Sequence, residues 1–289
     1  MHNRPSSSDL LARLATALGE EVLHLTPLHG GCIGEVYRVR LADGRDVVAK
    51  TARDASGTLD VEGFMLGYLA THTGLPVPKV LLAAPDLLLM THLPGDSHFN
   101  TAAERHAAEL LAALHAHTAP RFGFERDTFI GGLRQPNSWT LTWREFFAEH
   151  RLRYMAREAE RAGRLPAATR RRVEALADKV DRYIDEPPQP ALLHGDVWTT
   201  NVLADGGRIT GFLDSAIYYG HPEIELAFTT LFGTFGDSFY QRYQEIHPIA
   251  PGFWELRRDI YNLYPLLVHV RLFGGGYVGS VDQILARVG

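Results

Sequence analysis

His194-Gly195-Asp196-Val197-Trp198-Thr199-Thr200-Asn201 is the stretch on which the reading of this chain turns. It follows Ala191-Leu192-Leu193, an apolar lead-in that roots the loop in buried structure. A carboxylate followed five residues later by a carboxamide sets a proton acceptor and a hard oxygen donor on one short loop. The aspartate can take a proton from a hydroxyl, and the asparagine oxygen can hold a metal ion. Alone, the octapeptide also fits an ordinary turn with an Asx cap. Downstream, Ile209-Thr210-Gly211-Phe212-Leu213 reads as a strand that ends on Asp214, where a second hard ligand for Mg2+ would stand. The set Asp196, Asn201, Asp214 is far more specific than any one of its members.

Upstream, the chain supplies what a nucleotide would need. Gly30-Gly31-Cys32-Ile33-Gly34 lies between two strand-like runs, Val22 to Leu28 and Gly34 to Leu41. Glycines there let backbone N–H groups approach phosphates, although a plain hairpin turn has the same composition. Asp43-Gly44 marks a hairpin, and Val47-Val48-Ala49-Lys50 returns as a strand whose lysine can neutralise α- and β-phosphates. Glu62 on the next helical run, Leu59 to Thr71, can pair with Lys50; Asp60 is the rival carboxylate. Lys79 to Ala83 and Leu87 to Met90 read as two further strands. Met90-Thr91-His92-Leu93 then falls where an interlobe hinge would offer its backbone to adenine. The order of these parts points to phosphoryl transfer from ATP, with Mg2+ as cofactor.

The texture changes after Pro94-Gly95. Thr101 and Glu104 suggest a capping box for a helix running to about His117. Charged amphipathic helices are expected over Thr142 to Arg161 and Pro166 to Ile184, with the charges of Arg151 to Arg164 on solvated faces. Asn201 to Leu203 and Ile209 to Asp214 form a strand pair before a helical C-terminal third. The expected fold class is therefore α+β and two-lobed: a β-rich nucleotide-binding lobe over residues 1–93 and a mainly helical catalytic and substrate lobe over 94–289.

Composition narrows the function. The 289 residues are 45% hydrophobic and 22% charged, ordinary for a globular protein of this length. A formal net charge of -5 does not favour nucleic acid as a partner. No apolar run is long enough for a membrane span or a signal-peptide core, so the expected setting is cytoplasmic. Cys32 is the sole cysteine, so no internal disulfide can form. In a mobile loop rich in backbone amides it is a candidate redox site. Its oxidation would give a mixed disulfide or a homodimer linked through Cys32.

The motif set resembles the aminoglycoside and choline kinase superfamily, whose catalytic loop reads His-Gly-Asp. Tyr218-Tyr219-Gly220, Glu223-Ile224-Glu225-Leu226-Ala227, Leu231-Phe232-Gly233, Tyr261-Asn262-Leu263-Tyr264 and Leu272-Phe273-Gly274-Gly275-Gly276-Tyr277 narrow the likeness to fructosamine kinases. The resemblance runs from the glycine loop to Tyr277. It implies a protein-kinase-like fold and ATP-dependent phosphorylation of the sugar in small or protein-bound ketosamines. Phosphorylation at the 3-hydroxyl makes such an adduct labile and frees the amine. It implies Asp196 as base and an acceptor pocket in which His269 approaches Trp198. For Trp198 and His269, core packing is the alternative role, and His194 is read as a brace for the loop. His115 and His117 are read as ordinary. Three positions depart from the family pattern: Ser215 stands for proline, and His221 and Glu225 stand for aspartates. Rival readings are a phosphotransferase for aminoglycosides or choline, and a pseudokinase that only binds nucleotide.

Overall fold

The structure is a computed structural model that describes residues 7–28, 34–52 and 57–288. Helix α1 (Ser7–Leu18) is followed by β1 (Val22–Leu28), β2 (Glu35–Leu41) and β3 (Asp46–Thr51), then α2 (Leu59–His72), β4 (Val80–Ala84) and β5 (Leu87–Thr91). The strands form an antiparallel sheet in the order β1-β2-β3-β5-β4. Alternation along each strand sorts side chains to opposite faces. Val47 and Ala49 of β3, with Leu87 and Leu89 of β5, pack on Leu14 of α1. Val48 of β3, with Leu88 and Met90 of β5, packs with Leu66 of α2 on the other face. Lys50, two residues beyond Val48, therefore points to the α2 side, opposite Val36 of β2 and Leu88 of β5.

Helix α2 belongs to two cores at once. Leu59 and Leu66 close the sheet, whereas Met65 and Leu69 join the large C-terminal core. Its outer stripe, Phe64, Tyr68 and His72, follows the i, i+4 spacing of one helix face. Phe124 meets both Phe64 and Tyr68, at ring separations of 6.2 and 5.0 Å. The Tyr68 hydroxyl lies 2.9 Å from that of Tyr219.

The remainder is mainly helical. α3 (Thr101–His115) leads to the hairpin β6 (Thr128–Ile130) and β7 (Leu133–Gln135). α4 (Trp143–Phe146) runs through a π-helical segment, Phe147–Arg153, into α5 (Tyr154–Arg161), and α6 (Ala167–Ala177) follows. β8 (Ala191–Leu193) precedes the catalytic-loop candidate, and β9 (Val202–Asp205) with β10 (Arg208–Phe212) forms the pair after it. β11 (Tyr218–Gly220) returns beside β8. α7 (Pro222–Leu231), α8 (Asp237–Ile246), α9 (Arg258–Phe273) and α10 (Tyr277–Val288) complete the lobe around Trp143, Phe146, Phe212 and Tyr261, all with no exposed surface. No described helix is long and apolar enough to cross a membrane.

Three local expectations are corrected. The N-cap of α3 is Asn100, whose side chain accepts from Ala103 N–H at 3.0 Å, and Glu104 instead accepts from Gly236 N–H. The helix expected to reach Ile184 stops at Ala177 and is followed by a 3-10 turn over Val180–Arg182. Arg151 is not on a solvated face but fully buried. The π-helical segment adds a residue to the local turn and rotates this position out of α-helical phase. Its guanidinium stacks 3.9 Å from the Tyr218 ring centroid and donates to Pro136 O at 2.8 Å and Asn137 Oδ1 at 2.7 Å.

Arg151→Met keeps the stem but leaves those two buried acceptors unpaired and removes the cation–π contact. Stability should fall by about 2 kcal/mol. The urea midpoint is the measurement, and an unchanged midpoint would contradict the account.

Candidate active site

The cleft between sheet and helices holds two joined pockets. The larger, about 350 Å³, is lined by Val36 and Val48 from above and Leu203 and Leu213 from below. Met90, Thr91, His92 and Leu93 form its back. Flat apolar jaws against an interlobe strand end suit a planar base. The smaller pocket contains Asp196, Trp198 and Ser215 together with Phe129, Gly131 and Gly132. Lys50, Asn201 and Asp214 line both, so they stand at the junction.

Lys50 Nζ lies 2.8 Å from Glu62 Oε2 and 3.1 Å from Asp214 Oδ1. The helix therefore offers Glu62, not its rival Asp60, to the lysine. Burial works against the ammonium, but Asp214 and Glu62 outweigh it and raise Lys50 above its usual range. Burial, aided by the charge of Asp214, raises Glu62. Burial also opposes the Asp214 carboxylate, yet Lys50 holds it below the ordinary range. Among described non-glycine residues, only Asp214 has a positive φ, 51°. A strained backbone of this kind persists where surrounding contacts over-determine it.

Asp196 is pushed up to about 8, first by burial and then by the nearby Asp214 charge. Asn201 counters this in part by donating from Nδ2 to Asp196 Oδ2 at 2.9 Å and to Asp196 O at 3.0 Å. With its nitrogen so committed, the carboxamide oxygen is the end left for a cation. That oxygen and the Asp214 carboxylate are both hard donors, the chemistry magnesium selects.

The loop between these groups is fixed from behind. Gly195 has φ +85°, and a Cβ there would fall 2.1 Å from Ala216 O. Ala216 N–H donates to His194 O at 2.7 Å. His194 Nδ1 accepts from Asp196 N–H at 3.3 Å, and burial keeps the ring neutral by lowering its pKa. Glu225 accepts from Gly195 N–H at 2.6 Å and His194 N–H at 3.3 Å. Its Oε2 also lies 2.9 Å from His115 Nε2, while His115 Nδ1 meets the Tyr243 hydroxyl at 2.6 Å. His115 is thus no ordinary histidine but the buried partner of the carboxylate that grips the loop. Glu225 keeps a charge where the family pattern has aspartate. His221 caps α7 instead, accepting from Glu223 N–H at 3.1 Å, and burial drives it down to about 3.

His269 does not line the pocket that holds Trp198; Phe232 is a ring neighbour of both, 5.7 Å from Trp198 and 5.0 Å from His269 by centroid. Within the proposed phosphate loop, Gly34 is described and has φ +85°. Gly30, Gly31, Cys32 and Ile33 lie outside the described residues, so the redox reading of Cys32 has no structural counterpart here. The sequence reading also passed over Val36, Val48, Leu203 and Leu213. Leu203 and Leu213 sit within two residues of the two metal-ligand candidates, a signal that was available. The Phe129 to Gly132 hairpin carried none.

The model of the fructosamine kinase family matches residues 7–288. A probable ketoamine kinase of Vibrio parahaemolyticus is 34% identical over 268 residues, covering 90% of this chain and 91% of its own. A chloroplastic protein-ribulosamine 3-kinase of Oryza sativa subsp. indica is 32% identical, covering 92% of this chain and 78% of its own. The solved structure of a candidate fructosamine-3-kinase from Thermobifida fusca matches with a TM-score of 0.84 at 32% identity, covering 99% of this chain and 100% of that one.

Gly195→Ala forces a methyl group against Ala216 O and an unfavourable φ. A displacement of the loop by a fraction of an ångström should lower turnover roughly 100-fold. Steady-state kinetics on the folded variant, checked by circular dichroism, would show it; wild-type turnover would mean that the loop tolerates the shift.

Proposed function

The chain belongs to the fructosamine kinase family, and from that premise we propose that it phosphorylates the sugar of ketosamines at the 3-hydroxyl with ATP as donor. The observation that carries this reading is the junction at Lys50, Asn201 and Asp214, which joins a base-shaped pocket to one holding Asp196 and Trp198. Asp196 accepts the proton of the sugar hydroxyl as its oxygen bonds to the γ-phosphorus. The bond from that phosphorus to the bridging oxygen breaks, and ADP leaves. Lys50, held by Glu62, neutralises the α- and β-phosphates. Asn201 and Asp214 would hold magnesium, which when bound supplies charge neutralisation at the phosphates. Met90 to Leu93 would meet the adenine, and the glycine loop the phosphates. Trp198 offers a ring to the sugar side, and His269 reaches that side through Phe232. The lobes 1–93 and 94–289 would close on the nucleotide about that hinge. Positioning and electrostatics carry most of the rate in such a transfer.

The direct test is ADP release with fructosyl and ribulosyl amines, choline and an aminoglycoside offered side by side. Release with choline or the aminoglycoside alone would overturn the substrate assignment. Asp196→Asn should lower turnover by about 10²- to 10⁴-fold with ATP affinity nearly unchanged. Near-normal turnover at saturating substrate would remove Asp196 from the base role.

Asp214→Ala removes a hard-cation ligand and one of two counter-charges of Lys50. Magnesium-dependent strengthening of ATP binding should disappear, as read by calorimetric titration with and without the metal. A magnesium effect equal to wild type would take Asp214 out of the site.

A further inference from the structure

The hairpin β6–β7 has no part in the nucleotide site, yet Phe129, Gly131 and Gly132 share a pocket with Asp196 and Trp198. Its turn is made of two glycines with φ of +53° and +73°, a conformation that side chains disfavour. A Cβ on Gly131 would meet Leu272 Cδ1 at 2.8 Å, so the tip is wedged between the pocket and the end of α9. The base of the hairpin carries Gln135, fully buried, with every polar atom used. Its Nε2 donates to Thr128 Oγ1 at 2.8 Å and to Ala216 O at 3.0 Å, and its Oε1 accepts from the Tyr264 hydroxyl at 2.6 Å. Ala216 is two residues from Asp214 and bonds through its N–H to His194 O in the catalytic loop.

One carboxamide thus ties together the hairpin, the segment after Asp214 and the helix that carries His269. We propose that the β6–β7 hairpin is the acceptor-side wall of the active site, and that Gln135 is the positioning residue that fixes its distance from Asp196. The two glycines of the turn present only backbone to the pocket that holds Asp196 and Trp198. Gln135 acts on the acceptor through the wall, without touching it. Its three bonds are buried, and each partner left unpaired in a low-dielectric interior would shift to find another. The nucleotide pocket contains neither the hairpin nor Gln135, so the two halves of the reaction should respond separately.

This inference rests on the reading of the smaller pocket as the acceptor site. Gln135→Leu preserves volume and removes all three bonds. The Michaelis constant for fructosyl-glycine should rise about tenfold while that for ATP stays within about twofold. Equal rises in both constants, or no rise in the acceptor constant, would overturn the assignment, because a merely structural role does not divide them. Should Gln135→Leu fail to fold, Tyr264→Phe deletes one bond and keeps the ring. The same division is then expected at about threefold, and the same outcomes would overturn it. Wild-type enzyme that releases no ADP with fructosyl-glycine would sink the substrate reading alone. The wall is then judged by the same division on kanamycin or choline, whichever supports ADP release.

Discussion

The ammonium of Lys50 is nearly withdrawn from water, with 6% of its side chain exposed. Without counter-charges, such a group would give up its proton instead of staying ionised. Glu62 reaches it from α2 and Asp214 from the far side of the cleft. One charge balance therefore couples a strand, a helix and the other lobe. The balance is also uneven, with one cation facing Glu62, Asp214 and Asp196. Burial first, and then the Asp214 charge, lift Asp196, and the same surplus of negative charge would repel a triphosphate arriving alone. Under the proposed reading, a divalent cation at Asn201 and Asp214 would offset that surplus where the phosphates would lie.

Behind this charged front, the catalytic loop is held mostly by main-chain groups. Glu225 accepts from two successive N–H groups, Ala216 donates to His194 O, and Gly195 alone can take the φ that the bend requires. Such contacts do not depend on the rotamers of the reacting side chains. The loop can therefore stay put while Asp196 changes protonation. The buried His115 and Tyr243 extend the support into α3 and α8.

Much of this was legible in the sequence, for identifiable reasons. Strand alternation and the Asp43-Gly44 turn foretold the sheet, and the Asp196, Asn201, Asp214 spacing foretold residues that the fold brings to one pocket. Lys50 and Glu62 were legible because they stand on adjoining regular elements. What escaped reading depended on long-range contacts. His115 pairs with a residue 110 positions away, and Arg151 is turned inward by a π-helical segment that periodicity cannot reveal. Gln135 carries no sequence signal, because its partners Thr128, Ala216 and Tyr264 come from three separate stretches of chain. The α3 cap was misassigned by one residue, since Asn100 and Thr101 both have capping side chains and only the backbone chooses between them.

Helix α2 presents Glu62 to the sheet's lysine while its Phe64 and Tyr68 press against Phe124 of the opposite lobe. A helix that completes one core and is seated in another cannot change partners freely. The small lobe is for that reason not an interchangeable module. A sheet borrowed from a relative would arrive with a helix whose outer stripe was shaped to a different seam. Misfit there would be felt twelve residues upstream of Glu62, at Lys50, the other half of its ion pair. Inheritance should therefore conserve the seam and the ion pair as a single unit, with drift in one compensated by drift in the other.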